Sequence, residues 1–252
     1  MQFPNWLITT YSTGIPSLDR VIGGLRPCEL IVLAGIDRRN TNALALQCTA
    51  ALASQRVATG IFARGANARE ARARTFVDGT PSVIVPRVIE MLTPSLDDLG
   101  QALSTAVSQL AIRLAVCHDV YSLTESYSHP TPSSFQDDGI WLDIDDEDDR
   151  IERPLRRVSR VSRTLKSWAM KYRMPIVAQG ELSNRVAGRI IHEPRLGDLG
   201  EDDTWECDAD VVLFVHGLAD EMHVIVAKNR NGPVGRIPLE YDLQRDIFRE
   251  WK

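Results

Sequence analysis

Glu29-Leu30-Ile31-Val32-Leu33-Ala34-Gly35-Ile36-Asp37-Arg38-Arg39-Asn40-Thr41-Asn42 is the stretch on which the fold turns. Its first half is a short apolar run closed by glycine, and its second half is polar. A continuous apolar run of this length suits a strand covered on both faces, as in a parallel sheet. Residues 112–117, 175–178 and 209–215 read the same way. Between these runs the spacing predicts helices. One covers 43–54. A second covers 96–112, with Leu99, Leu103, Val107 and Leu110 on one stripe. A third covers 154–172, where Val158, Val161, Leu165, Trp168 and Tyr172 step by three and four and Pro154 takes the first helical position. Residues 222–227 and 235–239 flank Asn231-Gly232-Pro233 and predict a terminal antiparallel hairpin. Alternating strands and helices predict an α/β fold, an open twisted sheet flanked by helices.

Composition narrows the class. The chain has 252 residues, 44% hydrophobic and 25% charged, enough for one large α/β domain with a buried core. The net charge of −5 is concentrated: residues 137–149 hold eight carboxylates and no base, and without them 26 acidic residues face 29 basic ones. Bulk charge therefore marks neither half as a polyanion binder. Cys28, Cys48, Cys117 and Cys207 are far apart, which argues against a metal or disulfide framework and for a reducing, cytoplasmic setting. No apolar run approaches the roughly 20 residues that span a bilayer, so no membrane partner is expected. The four lysines are Lys166, Lys171, Lys228 and Lys252, so chemistry requiring a lysine nearer the N terminus is excluded. Residues 121–150, rich in Ser, Thr, Pro and Asp, predict a long acidic, mobile loop within a single 1–252 domain, and 185–205 a second loop.

Several motifs share one resemblance. Thr13-Gly14-Ile15-Pro16-Ser17-Leu18-Asp19 is followed by Gly23-Gly24-Leu25-Arg26-Pro27-Cys28-Glu29-Leu30. Ala227-Lys228-Asn229-Arg230-Asn231-Gly232-Pro233-Val234-Gly235 closes the chain. Between them come Ser162-Arg163-Thr164-Leu165-Lys166, Met174-Pro175-Ile176-Val177-Ala178, Pro194-Arg195-Leu196-Gly197-Asp198-Leu199 and Glu206-Cys207-Asp208-Ala209-Asp210-Val211-Val212. In order and rough spacing these resemble the RecA-like core of DnaB-type replicative helicases, over about residues 12–249. The resemblance implies a RecA-like sheet and an origin in ATP-driven DNA unwinding.

The residues that such a core needs for ATP are replaced. A phosphate loop, G-x-x-x-x-G-K-[ST], uses glycines to bring backbone N–H groups to the phosphates, a lysine for the β- and γ-phosphates and a hydroxyl for magnesium. After Gly35 the chain has Asn40 at the second glycine, Thr41 at the lysine and Asn42 at the hydroxyl position, and Asp37 brings a carboxylate. Arg38 or Arg39 would restore part of the charge from another position. The resemblance places Ala63 at the catalytic glutamate, His118 at the Walker B aspartate with Asp119 one residue off on the opposite face, and Glu181 at the γ-phosphate sensor. These losses predict a phosphate loop and Walker B strand that are both degenerate, with no metal and no cofactor. ATP and magnesium belong only to the alternative, an active ATP-dependent DNA helicase.

Lys228 and Arg230 match a pair that, in the family, reaches across a subunit interface to the neighbour's γ-phosphate. The same two residues also read as a hairpin tip kept for a salt bridge. Arg153, Arg157, Arg160 and Arg163 form a basic face that suits nucleic acid, solvent, or the acidic loop folded back upon it. Trp141 reads equally as a partner anchor or a surface side chain, and His118 beside Asp119 as structural. The expectation is a non-catalytic, self-assembling or regulatory protein. It would form head-to-tail rings or filaments, or join a related helicase ATPase. Its arginine-rich, lysine-poor usage suits a bacterial source.

Overall fold

A computed structural model describes residues 10–76, 86–93, 95–123, 149–182, 186, 192–199, 204–218 and 221–251. The opening stretch forms the strand β1 (Leu30–Gly35), buried along its whole length. Its side chains alternate: Leu30, Val32 and Ala34 enter one core, Ile31 and Leu33 the other. That two-sided burial is why the strand reads as a continuous apolar run.

The elements before and after β1 are α1 (Pro16–Ile22), α2 (Arg38–Ser54), β2 (Thr59–Ala63), α3 (Gly65–Phe76), β3 (Arg87–Glu90), α4 (Leu96–Leu110), β4 (Leu114–Cys117), α5 (Asp149–Tyr172), β5 (Ile176–Glu181), α6 (Thr204–Asp208), β6 (Val211–Leu218), β7 (Glu221–Asn229), β8 (Gly235–Asp242) and β9 (Ile247–Glu250). Among the described residues they build one sheet of nine strands, in the order β3-β2-β4-β5-β1-β6-β7-β8-β9. The strands from β3 to β6 pair in parallel, and those from β6 to β9 are antiparallel. The first core joins the sheet to α4, α5 and α6 through Leu99, Leu103, Leu165, Ala169 and Trp205. The second joins it to α1 and α2 through Leu18, Ile22, Leu44 and Leu52. The parallel centre and C-terminal antiparallel extension match the expectation, while β3, β9, α1, α3 and α6 are additions to it.

Two helix starts differ from the sequence reading. α5 begins at Asp149, so Pro154 lies in its second turn instead of its first position. Proline's fixed φ suits a helix, but in the second turn its missing N–H forgoes one i→i−4 hydrogen bond. α2 begins at Arg38, five residues before the expected start, because Asp37 caps it. Most of the predicted acidic loop, Trp141 included, lies outside the described residues, which resume at Asp149; the predicted second loop holds a 3-10 turn at Leu196–Asp198 and the start of α6.

The motif that opens the chain has a local structural cause. Asp19 in α1 accepts hydrogen bonds from the Thr13 backbone N–H (2.9 Å), the Thr13 hydroxyl (2.8 Å) and the Ser12 hydroxyl (2.5 Å). These tie the entering chain to the helix.

Candidate functional site

The end of β1 is where a phosphate loop would open, and here the chain closes at once. Only Ile36 and Asp37 separate Gly35 from α2. Nothing from Ile36 to Asn42 is glycine, so no residue there favours the unusual φ values of an open loop. Asp37 holds an extended conformation, and its carboxylate accepts the Arg39 backbone N–H at 2.8 Å. A helix N terminus is an anion seat, because its first N–H groups lack partners and its dipole favours negative charge. Here the seat contains the protein's own carboxylate. Gly35 remains necessary for another reason: a Cβ there would lie 2.8 Å from both the Thr41 methyl and the Val215 carbonyl oxygen.

Thr41 and Asn42 point inward and are buried. The Thr41 hydroxyl donates to the Arg38 carbonyl at 2.9 Å and accepts from the Gln179 amide at 3.0 Å. Gln179 also donates to the Asn42 side-chain oxygen, and the Asn42 amide donates to Glu70 on α3 at 3.1 Å. Gln179 on β5 was not expected at this site. Asn40 is half-buried.

His118 follows β4 and is 7% exposed. Burial pushes its pKa down to about 4, against the opposing influence of Asp119 and the Gln179 side chain. Neither ring nitrogen has a hydrogen bond of good geometry. Asp119 corrects the sequence reading. It lies beyond the strand with a left-handed backbone (φ 56°), so strand alternation does not set its direction. It pairs with Arg64 at 3.0 Å and accepts from Ser122 at 2.9 Å. Ala63, at the expected place of a glutamate, is the buried last residue of β2.

The spare charge of the loop is engaged. Arg39 donates from Nε to Asp246 at 2.7 Å and from Nη2 to the Leu243 carbonyl at 3.2 Å. Asp246 lies in the turn between β8 and β9, which α2 already holds through Gln47: its amide donates to the Phe248 carbonyl (2.9 Å) and accepts the Phe248 N–H (2.8 Å). Arg74 on α3 reaches the other Asp246 oxygen at 2.7 Å, and the Tyr241 hydroxyl donates at 2.7 Å. Burial would raise the Asp246 pKa, but hydrogen bonds from Tyr241 and Arg39 and the Arg74 charge hold it below the usual carboxylate range. Arg38 is exposed at the same helix start, and its charge reaches His118.

Lys228 and Arg230 lie toward the other end of the sheet. Lys228 faces Val212, which pairs with Val32, so it sits about 10 Å along the strands from the level of Gly35. Lys228 donates to the Glu206 carbonyl, and Arg230 donates to the Cys207 carbonyl at 3.2 Å. Both therefore cap the C-terminal end of α6, where unpaired carbonyls and the helix dipole favour cations. Arg230 also pairs with Asp210 (3.3 Å), and Asp210 pairs with Lys166 (2.5 Å) and accepts the Leu30 N–H (2.9 Å). A cleft of about 540 Å³ opens beside this group, lined by Glu29, Arg26, Cys28 and Asn231 among others. Of the expected basic face, Arg160 and Arg163 are exposed on α5. The Arg153 and Arg157 side chains and that of Glu181 lie outside the description. Among the described residues no helix is long and apolar enough to cross a membrane.

Residues 142–250 match the family described as DnaB-like helicase C terminal domain. The chain is similar to the replicative DNA helicase DnaB of Mycoplasma genitalium, 27% identical, over 96% of this chain and 56% of that protein. It thus spans about half the length of that curated relative. A solved ATPase domain is similar with TM-score 0.75 and 17% identity, covering 98% of this chain and 93% of that one. A DnaB-like replicative helicase, solved in a study of its interactions with primase, has TM-score 0.73 and 18% identity, over 97% of this chain and 62% of that one.

Proposed function

The chain is a relative of DnaB-type replicative helicases through their C-terminal domain, and on that premise we propose that it acts by assembly instead of by ATP hydrolysis. The observation that carries this reading is the Asp37 carboxylate on the N terminus of α2. A triphosphate arriving there meets a fixed negative charge in the seat that its own oxygens need. Arg39 is turned to Asp246, and no lysine precedes position 166. Thr41 and Asn42 are buried in hydrogen bonds with Gln179, and His118 is a neutral imidazole near neutral pH. These residues do not fit magnesium–triphosphate. Charge-stabilising and metal-holding groups each contribute orders of magnitude to phosphoryl transfer, so losing several leaves no plausible route to turnover.

Assembly with copies of itself or with a related helicase ATPase is the corresponding role, in a ring or filament. Lys228 and Arg230 would then serve chiefly to hold α6, with Arg230 still half-exposed to a neighbour. DNA binding is not required by this reading. Two measurements test it. Phosphate release with magnesium–ATP, with and without single-stranded DNA, is expected to stay at background. Turnover near one per second, the lower end of ordinary enzyme rates, rejects the reading and favours an active helicase. The native mass is expected to exceed that of one chain, with no dependence on nucleotide.

A further inference from the structure

We propose that Arg39, Arg74 and Tyr241 form an oxyanion-binding site for a phosphate-bearing ligand, and that the chain fills it with its own Asp246 carboxylate. This goes beyond the absence of turnover and does not depend on it. Four points of the chain, separated by up to 207 residues, meet here. Arg39 comes from the first turn of α2, Arg74 from α3, Tyr241 from β8 and Asp246 from the turn that follows. One Asp246 oxygen accepts from Arg39 Nε and the Tyr241 hydroxyl, each at 2.7 Å, and the other accepts from Arg74 at 2.7 Å. Two guanidinium forks and a hydroxyl converging on one anion match a phosphate oxyanion as well as a carboxylate, and arginine is the side chain best shaped for both.

Three further features make the internal anion exchangeable. Asp246 holds a left-handed backbone (φ 52°), a conformation that costs most residues energy and that the turn must maintain. The Arg39 side chain is 52% exposed and those of Arg74 and Asp246 21%, so a solute reaches the donors without opening the core. The turn is held to α2 at this point by Arg39, through Asp246 and the Leu243 carbonyl. The charges around it include Asp37 beside Arg39, Glu70, which pairs with Arg74 at 2.8 Å, and Asp242 and Arg245 at the same turn. Removing the Asp246 carboxylate makes the local charge one unit more positive and frees donors of Arg39, Arg74 and Tyr241.

The test is calorimetric titration of the whole chain with inorganic pyrophosphate, free of metal and at low salt. Asp246→Asn keeps a residue that tolerates the left-handed turn and removes the charge. It is expected to bind pyrophosphate at least tenfold more tightly than the unaltered protein, and adding Arg74→Gln is expected to abolish the gain. Asp246→Gly, which adopts the same turn freely, gives a second route should the first variant fold poorly. No gain in either variant, with circular dichroism and melting unchanged, overturns the site. A gain that survives Arg74→Gln overturns it too, by making the attraction unspecific. Because no nucleotide or metal is present, the result is separate from the hydrolysis assay.

Discussion

Each end of β1 has a carboxylate held by two cations, yet the two arrangements differ in kind. At the N-terminal end Asp210 pairs with Lys166 and Arg230, and it also accepts the Leu30 N–H with which the strand begins. Its side chain is 5% exposed. At the C-terminal end Asp246 pairs with Arg39 and Arg74, at 21% exposure, and touches no core strand backbone. Burial decides what each contributes. Water screens the outer group and competes with it, so its net contribution to stability is small. The Asp210 carboxylate was desolvated on folding, so removing it leaves the Leu30 N–H without its acceptor and takes an anion from Lys166 and Arg230, which retain the Cys28 and Cys207 carbonyls. Asp210 therefore belongs to the architecture, while Asp246 is a partly exposed contact beside the start of α2.

The sharpest break of that comparison is Asp210→Ala. It strands the Leu30 N–H and leaves Lys166 with only the Cys28 carbonyl, and should cost about 3–5 kcal/mol, the typical loss on breaking a buried ion pair. Asp210→Asn, which keeps an acceptor for Leu30, should lose less. Urea unfolding of both variants measures the difference, and equal small losses would show that the inner carboxylate is no more structural than the outer one.

Next in size is a pH effect at His118, at the end of β4. The His118 pKa falls in the folded protein from 6.5 to about 4. Protonation therefore favours the unfolded chain, and stability declines as pH drops from about 6.5 to about 4, then levels off. The window corresponds to roughly 3 kcal/mol at about 1.4 kcal/mol per unit. His118→Gln should flatten this limb of the curve. An unaltered protein whose melting point does not change between pH 7 and pH 4.5 contradicts the burial of a neutral ring.

These two ends were not equally legible in the sequence. β1 was readable to its last residue, because burial on both faces imposes an unbroken apolar run. The start of α2 was missed, although Asp37 carries a helix-capping signal; matching residues to a phosphate loop drew attention from that local chemistry. Asp119 was assigned by strand alternation, which fails once the chain has left the strand. Asp246, Arg74, Tyr241 and Gln179 could not be found at all. Arg39, Arg74 and Gln179 meet partners more than a hundred residues away, and single-sequence periodicity carries no such pairing.

A smaller effect sharpens the contrast within the C-terminal end itself. Asp37→Ala removes the cap of α2 and should cost about 1 kcal/mol. That is a fall of about 2–4 °C in melting temperature for a chain of this size. It also vacates the helix N terminus for an external anion. If phosphate then raises the melting point of this variant but not of the unaltered protein, the carboxylate was filling the seat.

The smallest expected effect on stability is the one with the largest consequence for binding. Asp246→Asn retains the turn conformation and removes a partly exposed ion pair, so the loss should stay below about 1 kcal/mol and shrink further in salt. Asp210→Asn should respond less to the same salt, since the Asp210 carboxylate itself is buried although Arg230 and Lys166 reach solvent. Melting both variants across a salt series sets the two ends side by side. Parallel salt dependence would mean that burial does not separate them, and Asp246 would then be as fixed a part of the fold as Asp210.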